Sequence, residues 1–103
     1  MYYRRLRKND PELSKIKKHL PDIFEVSWDD VISEHKGRKL TDARTAIVTY
    51  LRDYKHLCQT EIANILNSTQ GAVSKLQNKH FELMNIDPLY KSRFIKFMAI
   101  LEY

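Results

Sequence analysis

The sequence predicts an all-α protein of about six helices arranged around a central helix-turn-helix. Only two glycines and three prolines occur in 103 residues, which leaves little material for long loops or tight β-turns. Apolar residues recur at helical spacing in several segments, and no convincing alternating run marks a strand. The pairs Asp10-Pro11 and Asp87-Pro88 each combine a capping carboxylate with a proline suited to the first helical position.

Punctuation fixes the elements in order. Asp10-Pro11-Glu12 opens a first helix that is expected to end before Pro21, because an interior proline removes a hydrogen bond and crowds the preceding turn. Ile23-Phe24-Glu25-Val26 is too short to decide between strand and helix. Ser27-Trp28-Asp29-Asp30 opens a short second helix, with acids in its first turn, that stops by Gly37. A third begins near Thr41 or Asp42 and carries the stripe Ala43, Ile47, Tyr50, Leu51 and Tyr54. A fourth covers about Gln59 to Leu66, and a fifth runs from Ser68 or Thr69 to about Asn85, with Ser68 as its expected cap. The last starts at Pro88 with Tyr90, Phe94, Phe97, Met98 and Leu101 on one face. Residues 1–9 read as a basic flexible arm, and 10–103 as one helical domain.

The fourth and fifth helices carry the functional expectation, a helix-turn-helix over about 59–80. Two short helices crossing steeply need a small residue at their closest approach, which Ala63 supplies. They also need a turn residue that tolerates positive φ, for which Asn67 is the best choice after glycine. Ile62, Leu66, Val73 and Leu76 then face the core. With Val73, Leu76, His80 and Leu83 inward, Thr69, Gln70, Ser74, Lys75 and Asn78 point outward, and Gly71 and Ala72 add no bulk. No acid lies between Glu61 and Glu82, so this face does not repel phosphate. Glutamine and asparagine can pair with adenine, lysine can meet guanine or phosphate, and hydroxyls can bond phosphate. The same apolar spacing would also serve a plain αα-hairpin in a bundle, which leaves the polar outward face unexplained.

Charge is unevenly spread. Residues 1–20 carry a net of +5, residues 21–35 a net of −5, and residues 36–103 a net of +5. The acidic block is one segment, so a basic surface lies elsewhere and a polyanionic partner, double-stranded DNA, is expected.

A broader resemblance rests on Asp30-Val31-Ile32-Ser33, the basic loop Lys36-Gly37-Arg38-Lys39, Ala46-Ile47-Val48-Thr49-Tyr50-Leu51, Glu61-Ile62, Val73 and Asp87-Pro88-Leu89. From about Val26 to Leu101 the chain resembles the C-terminal DNA-binding domain of the bacterial replication initiator DnaA, of the Trp-repressor-like helix-turn-helix superfamily. The resemblance implies a recognition helix in the major groove and a basic-loop arginine in the adjoining minor groove. The arginine's place falls on Lys36, two residues before Arg38; either could enter that groove, and Lys39 extends the same loop. The expected function is sequence-specific duplex DNA binding, as a transcription regulator or as a replication or mobile-element accessory factor. The family's Arg-Asp-His-Thr-Thr-Val run reads Ser68-Thr69-Gln70-Gly71-Ala72-Val73 here, so its target sequence is not carried over.

Other classes find less support. Two glycines cannot build a phosphate-binding loop, and Asp29 and Asp30 diverge on a helix, so no catalytic residue is assigned. Cys58 beside His56 is read as a buried helix start rather than a nucleophile. His19, His35, His56 and His80 lie too far apart for a zinc pattern, so no metal, cofactor or small-molecule substrate is expected. No apolar run spans a membrane, the start lacks a signal-peptide pattern, and one cysteine suits a reducing compartment; a cytoplasmic location is expected. Trp28 is read as a packing residue, and Lys15, Lys17 and Lys18 as a solvated face. Two alternatives stay open: a protein-interaction or homodimerisation module using Phe94, Phe97 and Met98, and single-stranded nucleic-acid binding through the tyrosine-rich arm.

Overall fold

The computed structural model describes residues 11–102, with side chains from Leu13 onward. The arm at 1–9 and the capping role of Asp10 therefore lie outside the described residues. Six helices follow: α1 (Pro11–Phe24), α2 (Trp28–Val31), α3 (Arg38–Asp53), α4 (Gln59–Ile65), α5 (Gln70–Ile86) and α6 (Pro88–Leu101). No strand occurs among the described residues, as the all-α expectation requires.

The centre is α3. Leu40, Ala43, Ala46, Ile47, Val48, Tyr50 and Leu51 are all buried on it, and α1, α2, α4, α5 and α6 each pack against it. A helix that is apolar on every side needs such a jacket. Its buried threonine hydroxyls are satisfied within the helix: Thr45 Oγ1 donates to the Thr41 carbonyl at 2.7 Å and Thr49 Oγ1 to the Thr45 carbonyl at 2.9 Å.

Two boundaries differ from expectation. α1 passes through Pro21 and ends at Phe24, so the undecided Ile23 and Phe24 are helical. Both are buried, at 5 % and 0 % exposure. Burying two such side chains contributes about 1.5–3 kcal/mol each, which offsets the roughly 3 kcal/mol that an interior proline costs. α2, capped by Ser27 as expected, stops after one turn and so within the limit of Gly37; the Arg44 guanidinium takes its last carbonyls. α3 starts at Arg38, four residues ahead of Asp42, since Gly37 at φ 152° and ψ 158° provides a turn that side chains oppose. Tyr54, expected on the buried stripe, caps the far end of α3 and is 48 % exposed.

The expected punctuation holds at α6, where Asp87 Oδ1 accepts from the Tyr90 N–H at 3.1 Å and Pro88 follows. The α6 aromatics face inward: Phe97 meets Phe24 edge-on at 5.5 Å, and Phe94 lies 4.6 Å from the His80 ring. Phe94 and Phe97 are buried and Met98 is half-buried. The expectation that they form a dimerisation face is corrected accordingly. Trp28 packs against the core, with Lys17 Nζ 5.3 Å from its ring.

His80 is 8 % exposed, and its Nδ1 shares a 2.7 Å hydrogen bond with the Tyr90 hydroxyl. Burial lowers its pKa despite the opposing charge of Asp53, and burial also raises that of Tyr90. The folded state therefore binds fewer protons than the unfolded chain once the pH falls below about 6.5. Stability should be fully present at pH 8 and decline from about pH 6.5 towards pH 5. Thermal melts across that range should show a smaller decline for His80→Phe than for the wild type.

Candidate nucleic-acid interface

Between α4 and α5 the chain turns in four residues. Asn67 adopts φ 54°, the Ser68 N–H donates to the Ala63 carbonyl at 2.8 Å, and the Asn67 N–H to that of Asn64 at 3.3 Å. This paired closure satisfies helix-end carbonyls and depends on a residue that accepts the left-handed region. Asn67 Nδ2 also donates to the Ile32 carbonyl at 3.3 Å, joining the turn to the segment after α2. The cap of α5 is Thr69 rather than Ser68: its side chain accepts from the Ala72 N–H at 3.1 Å. Thr69 sits where the extended backbone meets the first helical residue, Gln70, and Ser68 is one position too early.

The inward face of α5 is Val73, Gln77, His80 and Leu83, with Leu76 half-buried. Gln77 went unnoticed in the sequence because a glutamine at a core register reads as solvated. Thr69, Gln70, Gly71, Lys75 and Asn78 are exposed, and Ser74 is half-buried at the edge of the same face. A Cβ built on Gly71 would meet nothing within 4 Å, so packing does not require glycine there.

The basic loop is divided. Lys36 lines an open groove of about 690 Å³ together with Thr69, Ala72 and Lys75, so it shares a surface with the start of α5. Arg38 and Lys39 are helical residues of α3 and turn elsewhere. Arg38 Nη2 lies 2.7 Å from Asp87 Oδ2, at the junction of α5 and α6. Lys39 Nζ lies 3.5 Å from Glu25 Oε2, which Arg93 also pairs at 2.9 Å. Two cations in the first turn oppose the helix dipole, and these carboxylates answer them. The hydrogen bond from Arg38 lowers the pKa of Asp87, while burial and the charge of Asp87 raise that of Asp42.

Arg44 is the structural residue that the sequence reading missed. Its Nε donates to the Val31 carbonyl at 2.8 Å, and its Nη2 to those of Asp30 and Ser33 at 2.9 and 3.0 Å. It pins the far wall of the groove to α3, and burial lowers its pKa. Cys58, expected to be buried, is exposed at the start of α4, with Sγ 3.2 Å from Glu61 Oε1. Among the described residues no His, Cys, Asp or Glu cluster suits a metal, and no helix is long and apolar enough to cross a membrane.

The chain is 34% identical over 71 residues to an RNA polymerase sigma-F factor of Bacillus licheniformis, which covers 69% of this chain and 28% of that protein. It is 31% identical over 78 residues to an RNA polymerase sigma-F factor of Priestia megaterium, covering 76% of this chain and 31% of that protein. The chain thus spans less than a third of the length of these curated relatives. No family model matches, and no solved structure does. The similarity runs towards transcription; the replication role implied by the DnaA resemblance gains no support from it.

Arg44→Lys should destabilise the fold by about 1.5–3 kcal/mol, since an ammonium cannot reproduce the three-way contact of a guanidinium. Urea denaturation with an unchanged slope would measure it. Gly71→Ala should instead stabilise by up to about 1 kcal/mol, because open space removes any steric cost and alanine favours helix.

Proposed function

We propose that this chain is a transcription-related duplex DNA-binding module of the helix-turn-helix kind. The N-terminal half of α5 enters the major groove, and Lys36 contacts the adjoining backbone or minor groove. The observation that carries this reading is the exposed, acid-free start of α5, held on a rigid support by the Asn67 turn and sharing a groove with Lys36. Similarity to proteins named as RNA polymerase sigma factors supports it. By extension, RNA polymerase is the proposed protein partner, and the chain acts there without catalysis of its own.

Gly71 fits this reading. A glycine in a helix costs stability, and no neighbour in the fold explains it, whereas close backbone approach to a groove does. In this reading Thr69, Ser74 and Lys75 contact phosphate, and Gln70 and Asn78 contact base edges; the exposure of Thr69, Gln70, Lys75 and Asn78 supports it. Arg38 and Lys39 stabilise the scaffold from their carboxylate pairs and are left out of the proposed contact set.

Selection of bound sites from a random duplex library tests the proposal. Gln70→Ala should lose about 1–3 kcal/mol of discrimination, confined to one base pair of the selected site. Lys75→Ala and Lys36→Ala should weaken binding to all duplexes and each reduce the salt slope by roughly one. Failure to enrich any duplex at low salt would sink the reading.

A further inference from the structure

Three side-chain amides run in a chain from the core to the exposed start of α5. Gln77 is 6 % exposed, and its Oε1 accepts from Gln59 Nε2 at 2.8 Å. Gln59 Oε1 accepts in turn from Gln70 Nε2 at 3.1 Å. Gln59 is the first residue of α4 and half-buried, while Gln70 is the first residue of α5 and exposed. The outermost amide is therefore held by the neighbouring helix, and that helix's amide by the core.

We propose that Gln59 and Gln77 are positioning residues that fix the plane of the Gln70 amide for reading one base pair. This rests on the duplex-binding reading above. With one Nε2 hydrogen given to Gln59, Gln70 retains one hydrogen and its Oε1. That donor–acceptor pair matches the N7 acceptor and N6 donor of adenine, while guanine offers two acceptors along the same edge. Turning the Gln70 amide alone would set its Oε1 against Gln59 Oε1, so the relay opposes the reverse presentation. A glutamine with its torsions already set loses less freedom on binding.

Fold stability alone does not explain the buried member. Gln77 lies on the same face as Val73, His80 and Leu83, and its Nε2 has no hydrogen-bond partner among the described residues. A buried donor left unmatched is unfavourable, and leucine would fill that register without it. The space beside it is only about 20 Å³, room for no more than one water. What Gln77 supplies is the acceptor that holds Gln59.

The test uses the selected duplex and its single-base-pair variants, titrated at one salt concentration, with the fold of each protein variant checked by its melting transition. Gln59→Ala should reduce discrimination about five- to tenfold at the base pair sensitive to Gln70→Ala, with affinity for random duplex unchanged. The double variant should lose no more than Gln70→Ala alone. Gln59→Glu keeps an acceptor for Gln70, and Gln77 can turn its amide so that its unpartnered Nε2 donates to the new carboxylate, so discrimination should persist while the added negative charge lowers affinity for every duplex. Gln77→Leu should melt no lower than the wild type yet lose discrimination at that base pair; if it does not fold, the Gln59 variants decide. Unchanged discrimination in Gln59→Ala, additive losses, or losses spread evenly over all base pairs would overturn the relay while leaving duplex binding intact. A wild-type chain that binds no duplex overturns both.

Discussion

The burial of α3 on all sides is the constraint from which the other placements follow. Its apolar residues leave no solvent-facing stripe over most of its length, so the remaining helices must cover it. Two of the polar groups it carries inward, the Thr45 and Thr49 hydroxyls, are closed within the helix and ask nothing of the jacket. α5 contributes Val73, Gln77, His80 and Leu83 to that jacket. Because these residues are spent on the core, the opposite face of the same helix is held at a fixed rotation towards solvent. The proposed reading face is thus a consequence of core packing rather than an independent feature.

Rigidity at the start of α5 comes from several small closures around one corner. The left-handed Asn67, the Thr69 cap and the Arg44 clamp on the segment after α2 each remove a different freedom from the groove wall. None is worth more than a few kcal/mol, yet all act within the same groove. A binding surface assembled from loop and helix end needs such restraint, since every torsion left loose opposes association when it is fixed.

Much of this was legible in the sequence where one residue type has one physical use. Asp87-Pro88 and Asn67 marked their structures because a capping carboxylate, a first-turn proline and a left-handed turn residue have few substitutes. Expectation failed where a long-range partner outweighed a local rule. Pro21 reads as a helix stop until Ile23 and Phe24 are seen to be buried beyond it. Arg44 looks like one more solvated cation, since its acceptors are carbonyls that lie 11 to 14 residues away. Gln77 was invisible because its value lies in a hydrogen bond to Gln59, 18 residues earlier.

Net charge misleads for the same reason. The basic loop is continuous in sequence, but Arg38 and Lys39 are drawn to Asp87 and Glu25, while Lys36 turns to the groove. Among the described residues, Lys36 and Lys75 line that groove without an ion pair, together with the acid Glu34 and with Arg44, which gives three hydrogen bonds to carbonyls. Each neutralised phosphate contributes a slope of about −0.9 in the logarithm of affinity against salt, so two such lysines give a shallow dependence and little nonspecific hold. In the proposed reading, selectivity therefore comes from groups such as the Gln70 amide, whose direction is set by hydrogen bonds, rather than from charge.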